Sequence, residues 1–292
     1  MDKVVLNIPV MSPQLYRIST AMQIHLGTYT VKMVEDIDVE FSYLLNANKD
    51  IVVKMEVKEV SFESSHPDFF TFTNLVNSLL NQILVLPDHE GRAIDVEIPD
   101  LDEKLRELGK RLQNNYQDNE LVKQTAEHIH HFVNNREKLV KQLNSTGFQQ
   151  MFFAGYYKDF SSEIKEEQVF ETLIMGLDLF IKKKWEAVVI PDTRAILVKV
   201  KGEVDEDKFD RKSYVRNLKE LVNQYDLKID YSFDHEESYL FDEHHILQEA
   251  ETYMSFIESP IYSYTVARSL KNKSPENHFS LALDTLNTTV KE

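Results

Sequence analysis

The sequence predicts an α+β fold of two tandem related modules, each a long-stranded antiparallel sheet with helices packed on one face, plus extra helices between them. Three observations lead there. Long alternating apolar runs, rich in β-branched and aromatic residues, are separated by tight polar turns, which is the grammar of antiparallel sheets rather than of strand–helix crossovers. Stripes of helical period follow these runs. Short strings also recur about half a chain length apart. Ile51-Val52-Val53-Lys54-Met55 is echoed by Ile196-Leu197-Val198-Lys199-Val200, Asn74-Leu75 by Asn217-Leu218, and Asp88-His89-Glu90 by Asp234-His235-Glu236, at offsets of 145, 143 and 146 residues. The expected modules are residues 1–146 and 147–292, the second opening with an aromatic-rich connecting helix.

Taken in order, residues 16–45 alternate through Tyr29, Val31, Met33, Ile37, Val39, Phe41 and Tyr43. A turn at 46–50 leads into a second run from Ile51, which together predict a hairpin of two long strands. A shift of face near Glu59 suits a β-bulge. Phe69, Phe72, Leu75, Val76, Leu79 and Leu80 change to a helical stripe over 69–82, and residues 83–98 read as a second hairpin turning at Pro87–Gly91. Leu101, Leu105, Leu108 and Leu112 mark a helix, with Asp100 and Asp102 at the end where carboxylates cap free N–H groups and oppose the dipole. A longer helix is expected over 119–143. In the second half, strands are expected at 173–181, 187–190, 195–204, 227–231 and 239–240, and helices at 214–225, 246–257 and near 279–290. Asp242-Glu243-His244-His245 reads as the acidic opening of the helix at 246.

Composition narrows the function classes. The formal charge is −16, and it is spread evenly: residues 1–146 carry 15 basic and 22 acidic side chains and the remainder 18 and 27, or −7 and −9. Such a field repels phosphate backbones and anionic membrane surfaces, so no nucleic-acid partner is expected, while a basic partner protein fits. Without cysteine there are no disulfides, thiolate nucleophiles or cysteine-ligated metals. The first residues lack the pattern of a secretory signal, and no run approaches the length of a membrane span, so a soluble cytoplasmic location is expected.

Candidate chemistry is sparse. If both modules fold alike, His89-Glu90 and His235-Glu236 occupy equivalent hairpin tips, where paired histidines and carboxylates suit a divalent metal or proton transfer. The plainer reading is ordinary polar turn residues. Glu127-His128-Ile129-His130-His131 places a carboxylate and a histidine three apart on one helical face, but the other Glu-x-x-His string, Glu63 to His66, ends a strand and cannot supply the facing half of a bundle site. Phe148, Phe152, Phe153, Tyr156, Tyr157 and Phe160 crowd the midpoint, either as a buried connecting helix or as a partner-binding face. Lys182-Lys183-Lys184-Trp185 reads as a basic hairpin connection guarding a strand edge. No nucleophile elbow, phosphate-cradling glycine loop or zinc-protease string is present.

The reading taken is a non-enzymatic protein that acts by protein–protein binding or assembly, with Phe152, Phe153, Tyr156 and Tyr157 as its interaction residues and no cofactor. One alternative is a carrier that binds an apolar ligand between sheet and helices. Another is a metal-dependent enzyme using the histidines and glutamates of the repeated turns, His89, Glu90, His235 and Glu236.

Overall fold

The alternating runs become strands, and each strand pairs antiparallel with its neighbours. The computed structural model describes residues 4–9, 12–46, 50–65, 79–115, 127, 129–174, 176–223, 225–226, 229–258 and 261–274. Its strands are β1 (Gln14–Leu26), β2 (Tyr29–Leu45), β3 (Ile51–Ser64), β4 (Gln82–Pro87), β5 (Ala93–Glu97), β6 (Ile164–Ile174), β7 (Leu177–Val189), β8 (Ile196–Val204), β9 (Ser232–Phe241), β10 (Leu247–Glu258) and β11 (Tyr262–Asn272). They form a single eleven-stranded sheet in the order β5-β4-β3-β2-β1-β11-β10-β9-β8-β7-β6. Each half of the chain is a meander. The two meet at the centre, where β1 pairs with β11 from Tyr16↔Asn272 to Leu26↔Tyr262.

This corrects the predicted fold class. There are not two modules of sheet and helix but one open sheet with few helices: α1 (Leu101–Asn115), α2 (Arg136–Ser145), α3 (Arg211–Val222), a helical stretch over residues 129–133 and a 3-10 turn at Gln149–Met151 among the described residues. The repeated strings do not occupy equivalent places. Asp88-His89-Glu90 is the turn between β4 and β5, whereas Asp234-His235-Glu236 lies inside β9. The helix expected over 246–257 is β10, and Asp242 caps the β9–β10 turn, accepting from the backbone N–H of His244 and Ile246. The strand expected at 173–181 straddles the β6–β7 turn, and β11 carried no expectation at all. The helix expected over 69–82 is described only from residue 79, and its last residue, Gln82, opens β4; the helix expected over 279–290 and the first part of that over 119–143 lie outside the described residues.

Other expectations hold. The β4–β5 hairpin, the helix from Leu101, strand β8 and helix α3 stand where the spacing placed them. The face shift in β3 is a bulge: Asp38 faces Glu59 while Val39 faces Val57, which leaves Lys58 as the extra residue.

One sheet face is polar and meets solvent; the other is apolar and covered, as antiparallel sheets allow. The sheet must also curl. Ten strand spacings would hold flat outer strands roughly 48 Å apart. Yet α2 touches both edges: Asn144 exchanges two 2.9 Å hydrogen bonds with the backbone of Ala93 on β5, and Lys141 lies 3.4 Å from Glu171 on β6. Arg92, in the β4–β5 turn, reaches Glu166 of β6 at 2.6 Å, and Lys158 meets the same carboxylate at 2.5 Å.

Residues 148–160 plug the hollow so formed. Phe152 stacks on Phe41 of β2 at 4.4 Å and meets Tyr16 of β1 edge-on, while Tyr156 packs against Tyr239 and Phe241 of β9. The segment is a 3-10 turn and irregular chain rather than a long helix, and it braces one half-sheet against the other. Truncating Phe152 to alanine is expected to cost about 3–5 kcal/mol of stability, read from the midpoint of denaturant unfolding; a change under about 1 kcal/mol would show the brace to be dispensable.

Candidate functional site

A row of polar side chains crosses the apolar face. Residues pointing into the curl pair across adjacent strands in the sequence Glu35 (β2), Thr20 (β1), Arg268 (β11), Thr252 (β10) and Glu237 (β9). One position along, the row continues with Lys183 (β7), opposite Gly202 of β8, and Glu166 (β6). The row separates two cores. On one side lie Tyr16, Ile18, Val39, Tyr239 and the plug; on the other lie Ile181, Met254, Phe256, Tyr264, Val266 and the buried residues of α3, Tyr214 and Leu218.

Glu237 is the centre of the row. Its side chain is fully buried, and four donors converge on it: Lys183 Nζ at 2.6 Å, His235 Nε2 at 3.1 Å and Gln150 Nε2 at 3.2 Å on one oxygen, and the Tyr239 hydroxyl at 2.9 Å on the other. Burial alone would raise its pKa. The Lys183 ammonium and the His235 ring more than reverse this and hold the carboxyl well below the usual carboxylate range. Because a carboxylate only accepts, His235 carries its proton on Nε2, which leaves Nδ1 buried and without a hydrogen-bond partner. That ring rests on Gly202, where an added Cβ would come within 2.6 Å of Nδ1, so only glycine admits it.

Beside this cluster is a cavity of about 30 Å³, space for one or two water molecules. Its polar lining includes Ser145, Thr146, Gln150, Glu237, Thr252 and Arg268, and its apolar lining Phe170, Leu173, Met254, Tyr264 and Val266. Below the row the inward face is an apolar strip. Val266 pairs with Met22, which pairs with Met33; Tyr264 pairs with Ile24, which pairs with Val31. Met22, Ile24, Val31 and Met33 are only partly buried by the described residues.

The residues singled out from sequence fall elsewhere. Phe152, Phe153 and Tyr156 are 1% exposed and Tyr157 is 4% exposed, so they form core and present no face to a partner in this fold. His89 and Glu90 sit at the β4–β5 turn, with Glu90 3.0 Å from Arg92. His235 points into the sheet's curl, whereas Glu236 points outward to Lys201 at 3.1 Å. The two turns are therefore not brought together, and no cluster of three or more potential metal ligands occurs among the described residues. Glu127 and His130 are exposed; His66 and His128 lie outside the described residues. Lys182-Lys183-Lys184-Trp185 is the middle of β7, not a connection, and Lys183 and Trp185 point inward and are buried. Sequence reasoning passed over Glu35, Lys183, Glu237, Thr252 and Arg268 as a set. Their signal was present as polar gaps in otherwise apolar alternation, such as Glu35 between Met33 and Ile37.

Replacing Lys183 with methionine leaves the Glu237 charge buried without its main partner and is expected to cost about 3–5 kcal/mol, much of it recovered in the K183M/E237Q double variant. Because the folded carboxyl titrates below its unfolded value of about 4.3, the stability Glu237 contributes is full above that pH and falls as pH drops below it. Denaturant midpoints followed from neutral to acid pH should decline less steeply for E237Q than for the native chain; parallel curves would contradict the assignment.

The chain matches no protein-family model and no curated protein. Among solved structures it is similar to lipovitellin, described for its lipid–protein interactions, with a TM-score of 0.50 at 10% identity over 93% of this chain and 26% of that one. DynF from the dynemicin biosynthesis pathway of Micromonospora chersina (8% identity, 94% and 88% of the two chains) and a DUF1329 family protein from Desulfovibrio piger (10%, 91% and 88%) align with TM-scores of 0.20 and 0.23, too low to bear on the fold. This chain thus spans about a quarter of the lipovitellin chain, and the likeness between them is one of fold.

Proposed function

We propose that the protein carries an apolar ligand, held on the covered face of the curled sheet between the polar row and the lower strand ends. The observation that carries this reading is the strip Met22, Ile24, Val31 and Met33. These side chains point into the curl, yet the described residues leave them partly open. The strip continues into the cavity through Val266 and Tyr264, so apolar lining runs over strands β10, β11, β1 and β2, a span of roughly 14 Å. Sites for small apolar molecules are built in this way, from apolar walls with a few convergent polar groups. Lipovitellin, whose structure is described for its lipid–protein interactions, supports the reading by its similar fold. The protein–protein reading loses its named residues to the core.

Native mass spectrometry of the chain purified without detergent should reveal co-purified small molecules, and an uncharged solvatochromic dye should bind with a blue shift. Ile24→Asp, which places a charge on the strip, is expected to weaken dye binding by about tenfold or more, as the loss of one buried aliphatic contact implies. Gln23→Asp, one residue away on the exposed face, should leave binding unchanged. A mass equal to the bare chain, together with no dye binding, would overturn the carrier reading.

A further inference from the structure

We infer that the cavity beside Arg268 receives the carboxylate end of a fatty-acid-like ligand, whose chain then lies along the Met22–Met33 strip. The inference rests on the carrier reading and adds the chemistry of the head group.

Arg268 is the reason. It points inward from the middle of β11 and lines the cavity. Its cross-strand neighbours are the buried hydroxyls of Thr20 and Thr252, which carry no charge. Among the described residues its guanidinium makes no hydrogen bond or ion pair, although it keeps its charge at any physiological pH and offers five N–H donors. Glu35 and Glu237 lie two strands away on either side, and their charges act on Arg268 without forming an ion pair with it. Glu237 is already committed to Lys183, His235, Gln150 and Tyr239. The residue is only partly buried, and a cation that faces a cleft without an ion pair marks a place for an anion.

The Thr252 hydroxyl is the second, independent observation. It is buried, lines the same cavity beside Arg268, and can donate to an oxygen of the bound carboxylate. Size selects among anions. About 30 Å³ admits the two oxygens of a carboxylate, but not a phosphodiester with its substituents. The apolar side of the cavity, Met254, Val266 and Tyr264, leads straight to the strip, so head and tail are served by one continuous surface.

The test uses the full chain stripped of bound lipid. Dodecanoate, dodecanol, methyl dodecanoate and dodecyl phosphate compete for an uncharged dye at about pH 8, where the acid is fully ionised. Dodecanoate is expected to displace the dye at least about tenfold more effectively than the alcohol or ester, the scale of a hydrogen-bonded charge pair. Arg268→Met should abolish that preference, read as the ratio of acid to alcohol displacement, without lowering the melting temperature, since no ion pair is lost; a merely structural arginine would lower it. Should Arg268→Met fail to fold, Thr252→Val, which keeps the charge but dries its neighbour, is expected to reduce the preference for the acid. Equal binding of acid and alcohol, with dye still bound, would overturn the carboxylate site and leave the carrier reading intact. Tighter binding of dodecyl phosphate would also overturn it. Absence of binding by every ligand and by the dye would remove the carrier reading itself.

Discussion

Burying Glu237 as a carboxylate obliges donors to converge on it, and those donors fix the relation between otherwise separate parts of the chain. Lys183 comes from β7, His235 and Tyr239 from β9, and Gln150 from the plug. Satisfying one oxygen pair therefore fixes β7 relative to β9, across β8, and the seating of the midpoint segment. A buried charge pair of this kind contributes little net stability but makes every arrangement that separates its members expensive. The plug is consequently locked in one pose over a sheet face that would otherwise accept apolar side chains in many.

Curling follows from the same economy of burial. A flat sheet of eleven strands would leave a large apolar face open, and the few described helices are too short to cover it. Bringing β5 and β6 toward each other lets one short helix, α2, and the residues 148–160 seal much of the hollow. The gap that remains is bridged by Arg92, Lys158 and Glu166 rather than by strand pairing. Among the described residues β5 and β6 are joined by side chains and not by ladder hydrogen bonds, which distinguishes this sheet from a closed barrel. The likeness to lipovitellin concerns this kind of large antiparallel sheet.

What was legible in the sequence tracks how purely apolar each inward face is. Strands β8, with Ile196, Val198 and Val200 inward, and β4, with Ile83 and Val85, alternate cleanly and stand as expected. Strand β10 does not. Its inward positions include Thr252 and Glu258, while Leu247, Ala250, Met254 and Ile257 fall by chance at helical spacing, so the 3.6 period outweighed the 2.0 period. The first half of β9 reads as a turn because Asp234, His235, Glu236 and Glu237 are polar, although His235 and Glu237 point inward. The β1–β2 turn at Gly27 was likewise passed over. Gly27 has φ of +59° and leads a two-residue hairpin, a signal the flanking run of β-formers masked. The local rules failed where the polar row crosses the strand, and that is where the candidate site lies.

The sequence by itself determined the antiparallel, hairpin-rich character of the chain, its acidity, the bulge near Glu59, and the absence of thiol chemistry, because each is a property of neighbouring residues or of composition. Only the tertiary structure decided that the two halves share one sheet, that the midpoint aromatics are core, and that Arg268, Thr252, Glu237 and Lys183 stand in line. Alignment across strands depends on which strands pair and in what register, and those pairings join residues as far apart as Tyr16 and Asn272. No local pattern encodes such a pairing; it emerges when the whole apolar face is buried at once.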